Sequence, residues 1–328
     1  MKHGGDLGEA MARYGGTPQA WLDLSTGINP NPWPVPEALA GNVWQRLPSR
    51  ADHEVLIAAA RAAYHVPVEA GLVAAPGTQA LIQWLPYLAA AGPVAIVGPT
   101  YSEHAEAWRH AGRDVIEVSS LEEAVVRGQH VVVVHPNNPD GRIVDADDLM
   151  RAARRVQQRG GWLVIDEAFM DATPEMSAVP LGAGAPMVIL RSFGKFYGLA
   201  GVRLGFAVAA PDIAEGIARA LGPWPCSGPA LALGAAALRD DDWARQTRVR
   251  LREMAGALDR VLQEAGFAIV GGSALFRLAR HVEAARIHTR LAQAHIWCRS
   301  FEGADDLLRF GLPPDAVALD RLAAAFAG

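Results

Sequence analysis

One lysine stands in a stretch of small and aromatic residues, Ser192-Phe193-Gly194-Lys195-Phe196-Tyr197-Gly198, with Arg203 shortly after it. Apolar runs at 187–190 and 204–208 bracket the stretch, and short apolar runs beside glycine read as buried strands. Lys195 is therefore expected in a tight loop between two core strands. Partial desolvation there favours the free amine, a usable nucleophile toward carbonyls. Ser192 and Arg203 add a hydroxyl and a guanidinium, a good pair for a phosphate. Four further features could serve the same chemistry. Gly77-Thr78-Gln79 opens a predicted helix and offers backbone N–H groups to an anion. Tyr101 could stack on a flat ring, and Asn138 could donate to a ring oxygen. Asp166 could pair with a protonated ring nitrogen. Each alone also fits a plainer role: a tight turn, a half-buried loop tyrosine, a turn asparagine, a helix cap or metal ligand.

The elements that must position these residues follow from periodicity. Apolar runs at 72–75, 94–97, 115–118, 131–134, 163–165, 187–190 and 204–208 read as strands. Helical spacing fills 54–64, 80–90, the stretch ending near His110, 121–127 and 146–158. That alternation predicts an α/β domain with a mainly parallel, seven-stranded sheet. In such sheets ligands bind beyond the carboxyl ends of the strands, and all five features fall there. After Pro211 the pattern turns helical, at 212–221 and 229–264, with a break near 239–242. Strands at 268–270, 275–278 and 307–310 and helices at 283–293 and 315–326 complete a smaller α+β domain. The expected division is 1–40 as an irregular N-terminal arm packed on the small domain, 41–224 as the large domain and 225–328 as the small one. Pro30, Pro32, Pro34 and Pro36 keep the end of that arm extended.

Composition narrows the class without naming an activity. The chain has 328 residues, 51% hydrophobic and 20% charged, with a net charge of −5. This is globular, with no basic footprint for nucleic acid. No apolar stretch reaches membrane-spanning length, and the polar start has no apolar signal core. Cys226 and Cys298 lack metal-type spacing, which predicts reduced thiols, a cytoplasmic setting and no metal. No G-x-G-x-x-G follows the first strand, which disfavours a dinucleotide enzyme.

Taken together the features meet the needs of one cofactor, pyridoxal 5'-phosphate: N–H groups and a cation for its phosphate, an amine for its aldehyde, a carboxylate for its pyridinium and an aromatic face for its ring. Here the chain resembles the fold-type I pyridoxal-phosphate enzymes of the class I/II aminotransferase branch. Asn137-Asn138-Pro139-Asp140-Gly141 is similar to that branch's N-N-P-T-G, and Asp166-Glu167-Ala168-Phe169 to its D-E-A-[FY]. Ser192-Phe193-Gly194-Lys195 with Gly201-Val202-Arg203-Leu204-Gly205 is similar to its S-x-[ST]-K…G-x-R-x-G. The resemblance implies an aspartate-aminotransferase-like fold. Its nearest groups by motif are the histidinol-phosphate aminotransferases and the threonine-phosphate decarboxylases of cobalamin synthesis. His3-Gly4-Gly5-Asp6, Leu24-Ser25-Thr26-Gly27-Ile28-Asn29-Pro30, Phe169 and Lys195-Phe196-Tyr197 resemble the decarboxylases.

That resemblance implies roles. Lys195 would be the Schiff-base lysine, Asp166 would hold the ring nitrogen protonated, Asn138 would bond the ring oxygen and Tyr101 would stack on the ring. Gly77, Thr78, Gln79, Ser192 and Arg203 would bind the cofactor phosphate. Arg309 would meet the substrate carboxylate and Arg299 its phosphate, with His3 by the phosphate and Asn29 by the carboxylate. The expected reaction is decarboxylation of L-threonine O-3-phosphate to (R)-1-amino-2-propanol O-2-phosphate. The alternatives are histidinol-phosphate aminotransferase and a catalytically idle cofactor-binding partner or regulatory protein. A homodimer is implied by the family. The chain departs from the pattern twice. Arg46-Leu47-Pro48 replaces an R-Y-P whose tyrosine reaches the neighbouring subunit's cofactor phosphate, so that either phosphate binding is weaker or another group such as Ser49 or Arg50 substitutes, and Gly194 replaces a hydroxyl residue before the lysine.

Overall fold

Strands that are apolar on both faces are stable only inside a sheet covered on both sides. This requirement shapes the larger part of the computed structural model, which describes residues 4–36, 41–182 and 185–327. In chain order the strands are β1 (Leu22–Leu24), β2 (Gly71–Ala75), β3 (Val94–Val97), β4 (Val115–Val118), β5 (His130–Val134), β6 (Leu163–Asp166), β7 (Met187–Ser192), β8 (Gly205–Ala209), β9 (Ala268–Ser273), β10 (Phe276–Arg280), β11 (Ile296–Ser300) and β12 (Leu307–Gly311). The chain divides into two units. The larger holds Trp33–Asn138 and Arg142–Ala244, and the smaller holds the chain up to Pro32, Pro139–Gly141 and the segment from Arg245 onward.

The sheet of the larger unit has seven strands in the order β2-β8-β7-β6-β5-β3-β4. The β4–β3, β3–β5, β5–β6 and β6–β7 pairs are parallel, and β8 runs antiparallel to β7 and β2. This is the expected α/β class with a mainly parallel sheet. The helices Thr78–Leu88, Glu103–His110 and Pro211–Leu221 bring Leu81, Leu85, Trp108 and Ile217 into a core with Val164, Val188 and Leu190 of the sheet.

Register fixes one edge of this sheet. Gly205 pairs with both Ala75 and Ser192, while Asp166 pairs with Val134 and Leu190. The carboxyl ends of β2, β5, β6 and β7 and the start of β8 therefore share an edge. The loops that leave it carry Thr78, Asn138, Lys195 and Arg203.

A cluster of charged groups is buried in this unit. Arg191, on β7, donates to Glu167 at 2.8 Å and pairs with Asp171, and its guanidinium stands 4.5 Å from the Tyr64 ring centroid. Burial opposes its charge, but Asp171 and then Glu167 overcome this and hold the guanidinium well above its ordinary range. The cluster ties the end of β7 to the turn after β6, the two strand ends that precede Lys195 and carry Asp166. Arg191→Met leaves two carboxylates buried without their cation. It should cost about 3–5 kcal/mol of stability, read as a lower denaturant midpoint. An unchanged midpoint would show that the cluster adds nothing.

The helix Gly228–Leu238 belongs to the larger unit, although the sequence reading opened the small domain at 225. Ser227 caps its start by accepting from Ala230 N–H at 3.3 Å. The next helix runs Asp241–Glu264. Asp240 separates the two by accepting from Trp243 N–H and from the Trp33 indole, both at 3.0 Å.

The smaller unit's sheet has the order β1-β11-β12-β10-β9, parallel only between β1 and β11. Residues 1–40 were expected to be irregular. The structure instead shows a helix at Gly8–Tyr14 and the strand β1. Both are too short for periodicity to reveal, and tertiary partners make them: β1 pairs with β11, and Ala10 packs with Trp21 and Ala292. Strand β11 was likewise missed, because its run Ile296-Trp297-Cys298-Arg299-Ser300 carries polar residues at its end. Both cysteines are free and buried. Burial pushes the Cys226 thiol up to about 12 and the Cys298 thiol up further, so neither is a thiolate at neutral pH. Among the described residues no helix is long and apolar enough to cross a membrane.

Candidate active site

The shared sheet edge opens into a cavity of about 170 Å³. It is lined by Gly77, Thr78, Gln79, Tyr101, Asn138, Asp166, Ser192, Lys195 and Arg203, together with Val134, Ala168, Phe169, Gly194, Ala200 and Leu204. Every residue that the sequence assigned to a cofactor is in this list.

The helix Thr78–Leu88 begins at the cavity with no side-chain cap on its first N–H groups. Its dipole and free amides suit an anion. Gly77 has φ +86°, and a Cβ built on it would lie 2.9 Å from Arg203 Nη2. The guanidinium thus occupies the space beside the helix start. Arg203 itself takes the left-handed conformation, φ 55°, where the short helix Ala200–Val202 ends. The chain turns there into β8 and sends the side chain back toward the helix start.

Asp166 ends β6 and is 3% exposed. One carboxylate oxygen accepts from Ala168 N–H at 3.0 Å, and the other lies 2.9 Å from Nε2 of His104, which is 1% exposed. His104 was not found from sequence. It follows Tyr101 by three residues, so the two rings meet edge-on with centroids 6.2 Å apart. A buried histidine in a short helix gives no signal until its partner is seen.

Tyr101 is tied at its far end. Its hydroxyl donates to Gln79 Oε1 at 3.3 Å, and Gln79 Nε2 donates to Glu103 at 2.9 Å. Burial, aided by the Glu103 and Asp166 charges, pushes the Tyr101 phenol up to about 12, so it stays neutral. The loop before it is held by Asn137, whose Oδ1 accepts from the Thr100 hydroxyl at 2.6 Å and whose Nδ2 donates to Pro99 C=O at 3.0 Å. Asn137 thereby links the Tyr101 loop to the Asn138 loop. Glu103, Thr100 and Asn137 had no sequence signature as a group.

Lys195 lies in the short helix Phe193–Phe196, with Nζ 5.7 Å from the Phe169 ring centroid. Behind it Phe193 stacks on Tyr197 at 4.7 Å, and Tyr197 stacks on Trp243 at 5.6 Å. This aromatic stack makes the lysine loop a rigid base. A Cβ on Gly194 would lie 2.8 Å from Ala200 Cα, so the hydroxyl residue expected there does not fit. Leu47 is 64% exposed. Its neighbours are engaged locally: Ser49 forms a capping box with Asp52, and Arg50 pairs with Glu54 at 2.7 Å.

The remaining assigned residues belong to the smaller unit. Arg299 on β11 and Arg309 on β12 stand directly opposite across an antiparallel pair. Like charges in that position repel. Burial first, and then Arg299, push the Arg309 guanidinium down to about 10, while Asp23 works the other way. Arg309 is thus still charged at neutral pH, and an anion binding there would relieve the repulsion. Asn29 is buried, and its Oδ1 accepts from Asn31 N–H at 3.0 Å in a local turn. His3 lies outside the described residues.

The family described as aminotransferase class I and II matches residues 21–326 of the chain. A threonine-phosphate decarboxylase of Sinorhizobium sp is 43% identical over 327 residues, which cover 99% of the chain and 97% of that protein. A threonine-phosphate decarboxylase of Pseudomonas aeruginosa is also 43% identical, over 100% of the chain and 98% of that protein. The fold matches a histidinol-phosphate aminotransferase from Sinorhizobium meliloti, solved in complex with pyridoxal-5'-phosphate, with a TM-score of 0.77 at 22% identity, over 88% of the chain and 83% of that structure. With most of its length matched and two full-length relatives of one name, the chain belongs to the aminotransferase class I and II family and groups within it with the threonine-phosphate decarboxylases.

Proposed function

We propose that the protein is a pyridoxal-phosphate-dependent decarboxylase that converts L-threonine O-3-phosphate to (R)-1-amino-2-propanol O-2-phosphate in cobalamin biosynthesis. Two features support this reading. The substrate rests on the full-length identity to two proteins named for this decarboxylation. The cofactor rests on one cavity that brings Lys195 and Asp166 together with an uncapped helix start and Arg203.

The residues present fit the group. The amides of Thr78 and Gln79, the Ser192 hydroxyl and the Arg203 guanidinium would hold its phosphate. Asn138 would donate to its ring oxygen, Tyr101 would cover one ring face and Lys195 would anchor its aldehyde. Bound there, pyridoxal phosphate supplies an electron sink for the pair released when a bond at the substrate α-carbon breaks. Asp166, fixed by Ala168 N–H and His104, would set its carboxylate against the ring nitrogen and favour that nitrogen's protonated form. Arg299 and Arg309 are assigned the substrate's two anionic groups. Which α-carbon bond breaks depends on which one is held perpendicular to the ring plane. A site that grips phosphate more firmly than carboxylate lets the carboxylate leave as CO2. Lys195, or a water, returns a proton to the α-carbon. The product then keeps its amine and its phosphate.

A two-substrate contest tests the reading. The loaded enzyme should release CO2 from L-threonine O-3-phosphate with a kcat/KM at least about 100-fold above its amino transfer from histidinol phosphate to 2-oxoglutarate. The reverse preference would make it an aminotransferase. No turnover of either, with a cofactor band present, would make it a binding protein.

A single change in the cavity wall tests the role of Phe169, which lines the cavity at the position where histidinol-phosphate aminotransferases usually carry a tyrosine. Phe169→Tyr adds a hydroxyl to the cavity wall near Lys195, where it would donate to the ring oxygen of the bound group and stabilise its anion. The visible absorption of the loaded enzyme should then titrate at lower pH, by about 1 unit for one added hydrogen bond to an anion. An unmoved titration would place the Phe169 ring edge away from the ring oxygen.

A further inference from the structure

Ser25 collects three elements of the smaller unit in one buried residue. Its hydroxyl donates to Asp23 at 2.6 Å and accepts from the Gly5 N–H at 2.9 Å. Its own N–H donates to Asp23 at 2.8 Å. Its carbonyl oxygen accepts from Arg309 Nη2 at 2.7 Å. Arg309 also lies over the Phe276 ring, 5.2 Å from its centroid. The residue is 1% exposed, so these bonds are not shared with bulk water.

The N-terminal segment reaches the same carbonyl. A Cβ on Gly4 would lie 2.3 Å from the Ser25 oxygen that accepts from Arg309. Gly5 follows with φ +92°, a conformation that disfavours other residues. Only a glycine pair lets the segment lie this close. Beyond it, Asp6 accepts from Gly8 N–H at 2.8 Å, and the helix Gly8–Tyr14 is seated through Ala10 against Trp21 and Ala292. The segment is thus held at the glycines themselves and again on their C-terminal side.

We propose that Ser25 is a positioning residue that transmits the seating of the Gly4-Gly5 pair to Arg309, so that the N-terminal segment sets how firmly an anionic substrate group is held. The Arg309 guanidinium is oriented by a carbonyl whose own position depends on two neighbours. One is the Asp23 carboxylate, which fixes the Ser25 backbone and hydroxyl. The other is the glycine pair, which packs against the carbonyl from the opposite chain segment. Asp23 also offsets part of the charge cost of burying Arg309 beside Arg299. The inference rests on the assignment of Arg309 to a substrate anion made above.

A double-mutant cycle in the full-length, cofactor-loaded enzyme tests it, with KM and kcat for L-threonine O-3-phosphate as readouts. Gly4→Ala should raise KM about 10-fold, the scale of one weakened hydrogen bond to a charged group, with kcat and the visible absorption little changed. Ser25→Ala should raise KM in the same direction, and Ser25→Thr, which keeps the hydroxyl, should restore it. In an Arg309→Lys background, Gly4→Ala should add less than about 2-fold, because the group it acts through is gone. The same increase in both backgrounds would overturn the proposal, as would unchanged KM in both Gly4→Ala and Ser25→Ala. If Gly4→Ala does not fold, the Ser25 pair decides alone. An Arg309→Lys enzyme with unchanged KM would instead refute the assignment of Arg309, and the coupling with it.

Discussion

Replacing Lys195 by alanine should lower turnover on the order of 10⁶-fold, the scale seen when a covalent catalyst loses its nucleophile. The argument is geometric. Lys195 lines the cavity, its loop is backed by the Phe193–Tyr197–Trp243 stack, and the strand ends around it are set by the Gly205 register. The chain contains only two lysines, Lys2 and Lys195, and it is Lys195 that lines the cavity. That scarcity makes the chemistry easy to locate. Borohydride reduction of the loaded enzyme should fix the cofactor on the peptide that contains Lys195, and the variant should show no such adduct. An adduct found elsewhere, or a variant within about 10-fold of wild type, would remove Lys195 from the mechanism.

Asp166→Asn should lower kcat about 10³-fold while leaving cofactor binding within reach. The amide is nearly the same size and can still accept from Ala168 N–H, so the pocket keeps its shape. What it loses is a negative charge at a buried point, where a charge acts more strongly than in water. The loss should appear in kcat more than in KM, since the charge is needed when electrons leave the α-carbon and not when substrate binds. His104→Gln is the companion measurement. It keeps a donor near Asp166 and should cost much less than Asp166→Asn. Equal losses would mean that His104, and not the carboxylate, carries the effect.

How far the sequence reached can be read from individual residues. The five inner strands, β3, β5, β6, β7 and β8, were legible because both faces are buried, which makes them apolar runs such as Val131-Val132-Val133-Val134; the edge strands β2 and β4 are only partly buried. The cavity residues were legible because strand ends place them, and a strand end can be located without knowing its neighbours. Lys195, Asp166, Asn138 and Tyr101 are all of this kind. What escaped depends on partners far away in sequence. His104 matters through Asp166, 62 residues on, and Asn137 through Thr100, 37 residues back. Strand β1 exists because β11 pairs with it, and its three residues carry no periodicity of their own. The glycine pair at the start of the chain was visible as a motif. Its reason, the approach to the Ser25 carbonyl, is visible only in the fold.

The fate of the carboxyl carbon tests the central claim most directly. L-Threonine O-3-phosphate labelled at that carbon is incubated with the loaded enzyme in the absence of any oxo acid. Label should leave as CO2 in a one-to-one ratio with an amine product that retains its phosphate. Label kept in a keto acid, formed only once 2-oxoglutarate is added, would contradict the account.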